Sequence, residues 1–274
     1  MRGEVKRGRV RSDDISIAYL RRDAVVEQPA LTILFIHGFP FNKNMWLQQL
    51  EALPAAVTGI AMDVRGHGGS TSGHGFFSID VFARDLLACM DALQVERAVV
   101  CGISMGGYIA LRAYEIAASR FLGLVLCDTH SAADDNTGKL KRFDTIQSVL
   151  RHGKRAFSIG FVQQVFSGTG MLERPDAVEL IKSSIRRNSE RSICATLLAL
   201  ASRTDTTASL KNVAVPALII RGAEDKITSR EQADLLEQEI PDSRRVEIRG
   251  SGHLPNLENP EVFNRELNGF LESL

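Results

Sequence analysis

The stretch VVCGISMGGYIALRAY, from Val99 to Tyr114, changes from one backbone pattern to another at a serine. The apolar run VVCGI predicts a buried strand, and the apolar residues after Ser104 recur at helical spacing. Gly102 and Gly106 lie two residues before and after Ser104, which gives the pattern G-x-S-x-G. Such a strand–turn–helix corner holds the serine hydroxyl away from the backbone, where a substrate can reach it. The stretch therefore indicates a nucleophilic serine, with a helix N-cap as the alternative interpretation.

Length and composition allow one α/β domain with an insertion. The chain has 274 residues, of which 44% are hydrophobic and 24% are charged, as is typical of globular enzymes and binding proteins. Lys and Arg number 33, as do Asp and Glu, so no excess charge points to nucleic acid or an anionic membrane surface. The basic start MRGEVKRGRVR lacks the apolar segment of a secretory signal, and the apolar runs are strand-length. We expect neither a nucleic-acid nor a membrane partner.

The cysteines indicate neither disulfides nor a metal site. Cys89, Cys101, Cys127 and Cys194 form no C-x-x-C pair and have no metal-ligand spacing. Cys101 and Cys127 belong to apolar runs, where a free cysteine packs as a small hydrophobic residue. The prediction is a protein without a metal or cofactor in the reducing cytoplasm, as a monomer or homodimer.

Strand and helix patterns alternate along most of the chain. Buried strands are predicted in ALTILFIHGF, GIAMDV, RAVVCGI, FLGLVLCD and VPALIIRG, a further strand in SRRVEIRG, and an antiparallel edge ribbon in RVRSDDISIAYLRR. Helical spacing is present in SIDVFARDLLACMDAL, MGGYIALRAYEIA and PEVFNRELNGFLESL. This alternation predicts an α/β fold with a mostly parallel sheet and helices on both faces.

The alternation stops between residues 131 and 205. This region is more polar and has no buried-strand run, but RAFSIGFVQQVF places Phe157, Phe161 and Val165 at helical spacing. We interpret residues 131–205 as a helical lid, or cap, over the carboxyl edge of the sheet. Residues 1–130 and 206–274 then form the core domain.

Two later loops supply the partners that a serine nucleophile needs. A serine hydroxyl is a weak nucleophile until a base removes its proton, and the base needs an acid to orient it. Asp225 follows the predicted strand in VPALIIRGAEDKIT, and His253 follows the next strand, in VEIRGSGHLPNLENP. Because parallel strands end at one edge of a sheet, we expect both residues to lie near Ser104. Glu224 and Asp128 are alternative acids, although Asp128 is more simply interpreted as a cap of the turn into the lid.

Two backbone N–H groups are candidates for stabilising the oxyanion of a tetrahedral intermediate. Met105, directly after Ser104, offers an N–H at the start of a helix. In FIHGFP, Gly38 allows a turn after an earlier strand, and Phe39 offers the second N–H. His37 in the same motif is interpreted as a structural residue that bonds to the neighbouring backbone.

The motifs HGFPFNKNMW, DVRGHGGS, GISMGG, RGAEDKIT and GSGHLPNLENP occur in this order. With them the chain resembles the α/β-hydrolase superfamily over nearly its whole length. The opening HGFP and the strand LVLCDT before the lid are similar to those of 3-oxoadipate enol-lactonase-like enzymes and small carboxylesterases. The resemblance implies Ser104, Asp225 and His253 as the catalytic triad, and Phe39 and Met105 as the oxyanion hole.

The predicted function is hydrolysis of a small, partly apolar carboxylic ester or lactone through an acyl-enzyme on Ser104, without a cofactor. Epoxide hydrolases and haloalkane dehalogenases of this fold use a carboxylate nucleophile, so a serine at this position argues against their reactions. Three alternatives stay open. The chain resembles perhydrolases and haloperoxidase-like enzymes, and C–C bond hydrolases use the same triad. A ligand-binding receptor on the same fold would turn its ligand over slowly or not at all.

Overall fold

An eight-stranded sheet forms the centre of the computed structural model, which describes residues 3–26 and 28–274. The strands are β1 (Val5–Ser12), β2 (Ile15–Arg22), β3 (Leu31–Ile36), β4 (Val57–Met62), β5 (Ala98–Ile103), β6 (Phe121–Cys127), β7 (Ala217–Gly222) and β8 (Ser243–Ile248). Across the sheet the order is β1-β2-β4-β3-β5-β6-β7-β8. Strand β2 is antiparallel to both β1 and β4, and the other neighbouring strands are parallel. The predicted mostly parallel sheet with an antiparallel edge ribbon is confirmed.

Helices connect the parallel strands and cover the sheet. They are α1 (Leu47–Ala52), α2 (Ile79–Ala92), α3 (Met105–Ala117), α4 (Asn136–Val165), α5 (Gly168–Glu173), α6 (Pro175–Arg187), α7 (Glu190–Ala201), α8 (Arg230–Glu239), α9 (Pro255–Glu258) and α10 (Pro260–Glu272). The chain steps one way from β3 to β4 and the other way from β4 to β5. Because crossovers are right-handed, this reversal puts α1 and α2 on opposite faces. Helix α1 packs with α10, and α2 packs with α3.

The central strands are apolar because both of their faces are covered. Every residue of β4, β5 and β7 is buried, and each fully buried Val, Leu or Ile side chain stabilises the fold by about 1.5–3 kcal/mol. Strand β8 lies at the outer edge and has half-buried and exposed positions. Cys101 and Cys127 are free and completely buried in β5 and β6, as their apolar surroundings predict.

Four helices, α4 to α7, lie between β6 and β7, where the sequence predicts a helical insertion. Helix α4 contains a break at Gly153, whose φ of 77° and ψ of 164° are not helical. Serine or aspartate side chains cap the N-termini of α4, α5 and α7, namely Asp135, Ser167 and Ser189. We refer to Asn136–Ala201 as the helical insertion. The domain limits at residues 131 and 205 stay a prediction.

The two ends of the helical insertion are joined by hydrogen bonds. The backbone N–H of Thr206 donates to the carbonyl of Ser131 at 3.0 Å. The Ser131 and Thr207 hydroxyls are 2.8 Å apart. The chain therefore leaves and rejoins the core at one place.

In the described part of the chain, no helix combines the length and apolar character needed to span a membrane.

Candidate active site

Ser104 occupies the corner between β5 and α3 in a conformation that few non-glycine residues adopt. Its φ is 53° and its ψ is −118°, which places it in a strained region of backbone space. A Cβ at Gly102 would collide with the Gly106 carbonyl, and one at Gly106 would collide with the carbonyl of Ile36. The glycines of the G-x-S-x-G pattern are therefore required by the close approach of α3 to β5 and β3.

Further hydrogen bonds hold this corner. The N–H of Ser104 donates to the carbonyl of Cys127 at 2.9 Å. The Ser104 carbonyl accepts from the Thr129 hydroxyl at 2.8 Å. The strained backbone is thus fixed by the neighbouring strand β6 and the loop after it.

Asp225 and His253 come together at the carboxyl ends of β7 and β8. His253 Nδ1 donates to Asp225 Oδ2 at 2.8 Å, and the N–H of Ile227 donates to Asp225 Oδ1 at 2.8 Å. Both side chains are buried. Burial alone would raise the pKa of Asp225, but the adjacent His253 and the backbone N–H groups of Ile227 and Thr228 hold that pKa below its usual value. The carboxylate is therefore ionised, and Nε2 is the nitrogen of His253 that does not bond to Asp225.

Ser104 and His253 line the same cavity, which has a volume of about 730 Å³. The wall of this cavity also includes Phe39 and Met105, the two predicted oxyanion-hole residues. Asp225 lies behind His253, at 8% exposure. The predicted nucleophile and base therefore line one cavity. Asp225 does not line it, but it is hydrogen-bonded to His253, which does.

Both predicted oxyanion-hole residues lie next to Ser104. A Cβ at Gly38 would be 3.2 Å from the Cβ of Ser104, so the turn that carries Phe39 lies directly against the serine. Met105 begins α3. Within residues 3–26 and 28–274, neither the Phe39 nor the Met105 N–H has a hydrogen-bond acceptor. Two backbone donors are therefore free beside the serine hydroxyl.

His37 holds the Phe39 turn in place and does not reach the cavity wall. Its Nδ1 donates to the Gly38 carbonyl at 2.8 Å, and its Nε2 accepts from the N–H of Val64 at 3.0 Å. Burial lowers the pKa of His37, so the ring is neutral in this tautomer. These contacts agree with its interpretation as a structural residue.

Asp128 has a different place from the one that the sequence suggests. It was expected to cap the turn into the insertion, but its Oδ1 accepts from the N–H of Gly222 at the end of β7, at 2.8 Å. One polar atom each of Asp128, Asp225 and His253 lie within 4.8 Å of one another. Glu224, the other alternative acid, is exposed. The Thr228 hydroxyl also donates to the Asp128 carbonyl, at 3.0 Å. This bond joins the loop after β6 to the loop after β7.

The spacing of Asp128, Asp225 and His253 would also admit a metal ion. However, Nδ1 of His253 and Oδ2 of Asp225 are 2.8 Å apart, which is a hydrogen-bond distance with a proton between the two atoms. A metal ion bound to both atoms would have to take the place of that proton. The donor set therefore fits a hydrogen-bonded pair better than a metal site.

Glu258 connects the His253 loop to the helical insertion, and the sequence interpretation missed it. Its Oε1 accepts from the N–H of Gly252 at 2.9 Å, and its Oε2 accepts from the N–H of Ser167 at 2.8 Å. The N–H of His253 donates to the carbonyl of Val165 at 2.9 Å. The end of α4 therefore holds the backbone of the candidate base. The signal available in the sequence was an acid five residues after His253.

Asn188 connects the insertion to the other side of the site. Its Nδ2 donates to the carbonyl of Pro40 at 2.8 Å, and its Oδ1 accepts from the N–H of Gly68 at 3.0 Å. Pro40 directly follows the predicted oxyanion residue Phe39. No motif marks Asn188, because its partners are far away in the sequence.

Aromatic side chains of α4 cover the cavity. Phe157 and Phe161 line it, and both lie near Phe39, with ring centroids 6.3 and 6.1 Å away. The ring centroids of Phe157 and Phe161 are 5.2 Å apart. These aromatic contacts bring the insertion against the turn that offers the second backbone N–H.

Comparison with known proteins identifies the family of this chain. A family model described as the alpha/beta hydrolase fold matches residues 32–260. The chain is 27% identical over 256 residues to 3-oxoadipate enol-lactonase 2 of Acinetobacter baylyi, with 90% of each protein covered. It is 27% identical to a non-heme chloroperoxidase of Kitasatospora aureofaciens, over 87% of this chain and 91% of the relative. The solved structure of a thermophilic esterase from Thermogutta terrifontis has a TM-score of 0.88 and 28% identity, covering 98% of both chains.

The chain therefore belongs to the α/β hydrolase fold family. The resemblance inferred from its five motifs is confirmed, and so is its assignment to the hydrolase class of enzymes.

Proposed function

We propose that this protein cleaves a small, partly apolar carboxylic ester or lactone through an acyl-enzyme on Ser104. The observation that carries the proposal is the shared cavity of Ser104 and His253, with His253 bonded to buried Asp225. Relatives named as an enol-lactonase and an esterase support the same reaction class. In this arrangement the helical insertion acts as a lid, since Phe157 and Phe161 cover the cavity.

In the proposed acylation step, His253 acts as the base and Ser104 as the nucleophile. His253 Nε2 takes the proton of Ser104 Oγ while Oγ forms a bond to the carbonyl carbon of the substrate. Asp225 keeps the imidazole oriented and stabilises its positive charge. The resulting oxyanion accepts hydrogen bonds from the N–H groups of Phe39 and Met105. When the intermediate collapses, the C–O bond to the leaving group breaks, and the alkoxide takes the proton from His253.

Deacylation repeats these steps with water. His253 removes a proton from water as the water oxygen attacks the acyl carbon, and Ser104 Oγ leaves and recovers the proton. An ester yields an alcohol and an acid. A lactone yields one opened hydroxy acid, because its leaving group stays attached to its acyl group.

The cavity also suggests the chemistry of the substrate. Phe157 and Phe161 form an apolar wall, whereas Lys141 of α4 and Lys226 of the Asp225 loop add positive charge at exposed positions of the lining, against one exposed acid, Asp144. Such cations favour an anionic substituent. We therefore propose that the preferred ester or lactone carries a carboxylate remote from the scissile bond.

A fluorophosphonate probe tests the nucleophile directly. We expect stoichiometric labelling of the peptide that contains Ser104, with no label in the Ser104→Ala variant, together with hydrolysis of short p-nitrophenyl esters. Labelling without ester turnover would restrict the activity to lactones or C–C bonds. Absence of labelling would contradict the mechanism and favour a ligand-binding role.

Matched substrates test the proposed carboxylate. A monoester of a dicarboxylic acid should have a lower KM than the neutral ester of equal length, and Lys226→Ala should remove most of this difference. Equal KM values in the unchanged protein would contradict an anionic substrate while leaving the hydrolase assignment intact.

Perhydrolysis is the second candidate, because a non-heme chloroperoxidase is among the similar proteins. Here hydrogen peroxide, in place of water, would attack the acyl-enzyme and release a peracid. Peracid formation from acetate and peroxide that exceeds ester hydrolysis would favour this reaction.

We place the enzyme in the cytoplasm as a prediction, since its free cysteines fit a reducing compartment.

A further inference from the structure

Asp128 is a buried carboxyl group with one oxygen unaccounted for. Its side chain is 2% exposed, and its φ of 42° is rare for a residue other than glycine. Oδ1 accepts from the N–H of Gly222, but Oδ2 is buried without a hydrogen-bond partner. A buried carboxylate oxygen in this situation is costly unless it carries a proton and donates.

The neighbour that can accept such a hydrogen bond is Asp225. One oxygen of each carboxyl group and one nitrogen of His253 fall within 4.8 Å of one another. Both oxygens of Asp225 already accept hydrogen bonds, from His253 and Ile227. Two buried carboxyl groups this close do not both ionise, and the one with more donors keeps the charge. The proton of the pair therefore belongs on Asp128.

We propose that Asp128 is a positioning residue, protonated at neutral pH, that donates a hydrogen bond from Oδ2 to the Asp225 carboxylate. This bond fixes the orientation in which Asp225 receives Nδ1 of His253. It also withdraws charge from Asp225, so that the carboxylate holds the imidazole proton less strongly. The inference rests on the proposed triad.

The surroundings of Asp128 agree with a protonated side chain. The titratable groups that face it are Asp225 after β7, His253 after β8, and Cys127, its neighbour in the chain. Burial and the negative charge of Asp225 raise the pKa of Asp128 well above its usual value, against the opposing hydrogen bond from Gly222.

Infrared difference spectroscopy tests the protonation without relying on activity. At pH 7, the unchanged protein minus Asp128→Asn should contain the carbonyl stretch of a protonated carboxylic acid. The difference against Asp144→Asn, an exposed acid of α4, should lack this band. No protonated-acid band in the first difference would overturn the proposal, even if Ser104 is labelled and esters are hydrolysed. Conversely, a band in a protein without hydrolysis would support the inference and count against the proposed function.

Kinetics test the positioning role. Asparagine can accept from Gly222 with its oxygen and donate to Asp225 with its amide, so Asp128→Asn should keep kcat close to that of the unchanged protein. Asp128→Ala removes the donor and should lower kcat about tenfold or more at unchanged KM. The acidic limb of its kcat/KM profile should move to higher pH, because Asp225 then holds the imidazole proton more strongly. Equal losses in both variants would overturn the proposal.

The double variant gives an independent check in case Asp128→Ala does not fold. In Asp225→Asn, Asp128 is the remaining carboxyl group near His253 and can ionise. Residual activity should therefore be lower in Asp225→Asn with Asp128→Asn than in Asp225→Asn alone. Identical residual activities would show that Asp128 does not act through this site.

Discussion

The carboxyl edge of the sheet and the helical insertion contribute to the same cavity in different ways. At the sheet edge, the candidate residues are held in two ways: Ser104 by a strained backbone turn, and His253 by a buried side-chain hydrogen bond to Asp225. In the insertion, most of the residues that line the cavity lie on α4, which has an internal break at Gly153, and Leu197 and Leu200 of α7 complete the lining. The sheet edge therefore holds the candidate catalytic residues under strict steric limits, and the insertion contributes much of the cavity wall.

Two histidines line the cavity, one from each region, and they provide the largest expected contrast. Replacing His253 of the sheet edge by alanine removes the base and should lower kcat by about 10³-fold or more. His152→Ala, in α4, should leave kcat nearly unchanged because this exposed ring has no triad partner. Steady-state ester hydrolysis measures both. Similar losses in the two variants would contradict the division of roles.

Two glycines provide the same contrast in stability. Gly102→Ala drives a Cβ into the Gly106 carbonyl and should cost about 3 kcal/mol of unfolding free energy. Gly160→Ala in α4 has no atom within 4 Å of the new methyl group, and it should stabilise the helix by roughly 0.5–1 kcal/mol. Urea unfolding of both variants measures the difference. A mild effect at Gly102 would show that α3 can move away from β5 without cost.

The free energy of unfolding should also depend on pH, because the protein buries histidine side chains. Burial lowers the pKa of His67 from 6.5 to about 3. Between these values the unfolded chain binds a proton that folded His67 does not, so stability falls as the pH drops from about 6.5 towards 3, by up to about 1.4 kcal/mol per pH unit.

Urea unfolding at several pH values in this range checks the expectation. His67→Gln should reduce the slope, and His152→Gln, at an exposed position of the insertion, is the matched control substitution. An unchanged slope in His67→Gln would assign the acid sensitivity to other groups, among them His37, whose pKa burial also lowers.

The smallest expected effect concerns the insertion alone. Phe157→Ala enlarges the apolar wall and should shift the preferred acyl chain by one or two carbons, with a roughly tenfold change in relative kcat/KM. Phe270→Leu in α10 lies away from the cavity and should alter stability without altering this preference. A series of p-nitrophenyl esters of rising chain length measures it. An unchanged preference in Phe157→Ala would mean that the acyl group binds elsewhere in the cavity.

The sequence predicted the sheet edge well because its motifs are local. The G-x-S-x-G pattern that marks the turn at Ser104 is recognisable within five residues, and apolar runs identify β5 and β7 by themselves. The resemblance to the α/β-hydrolase superfamily then implied that these motifs lie together at one edge of the sheet. The confirmed fold followed from patterns that need no knowledge of distant contacts.

The contacts around the site could not be predicted in the same way. Asn188 and Glu258 act through partners in other elements, and no local pattern encodes such pairs. The sequence places Asp128 at the end of a strand, but its bond to Gly222 depends on how β6 and β7 align. The polar character and weak periodicity of α4 hid which of its side chains face the cavity.

The joined ends of the helical insertion have a consequence for how such enzymes diversify. Since the Thr206 N–H and the Ser131 carbonyl are 3.0 Å apart, the segment between them can be exchanged as a cassette without moving β6 or β7. Recombination at these two positions would import a new substrate pocket while leaving Ser104 and His253 on an unaltered scaffold. A replacement cassette must nevertheless retain partners for the Pro40 carbonyl and the His253 N–H, because Asn188 and Val165 of the present insertion bond to them.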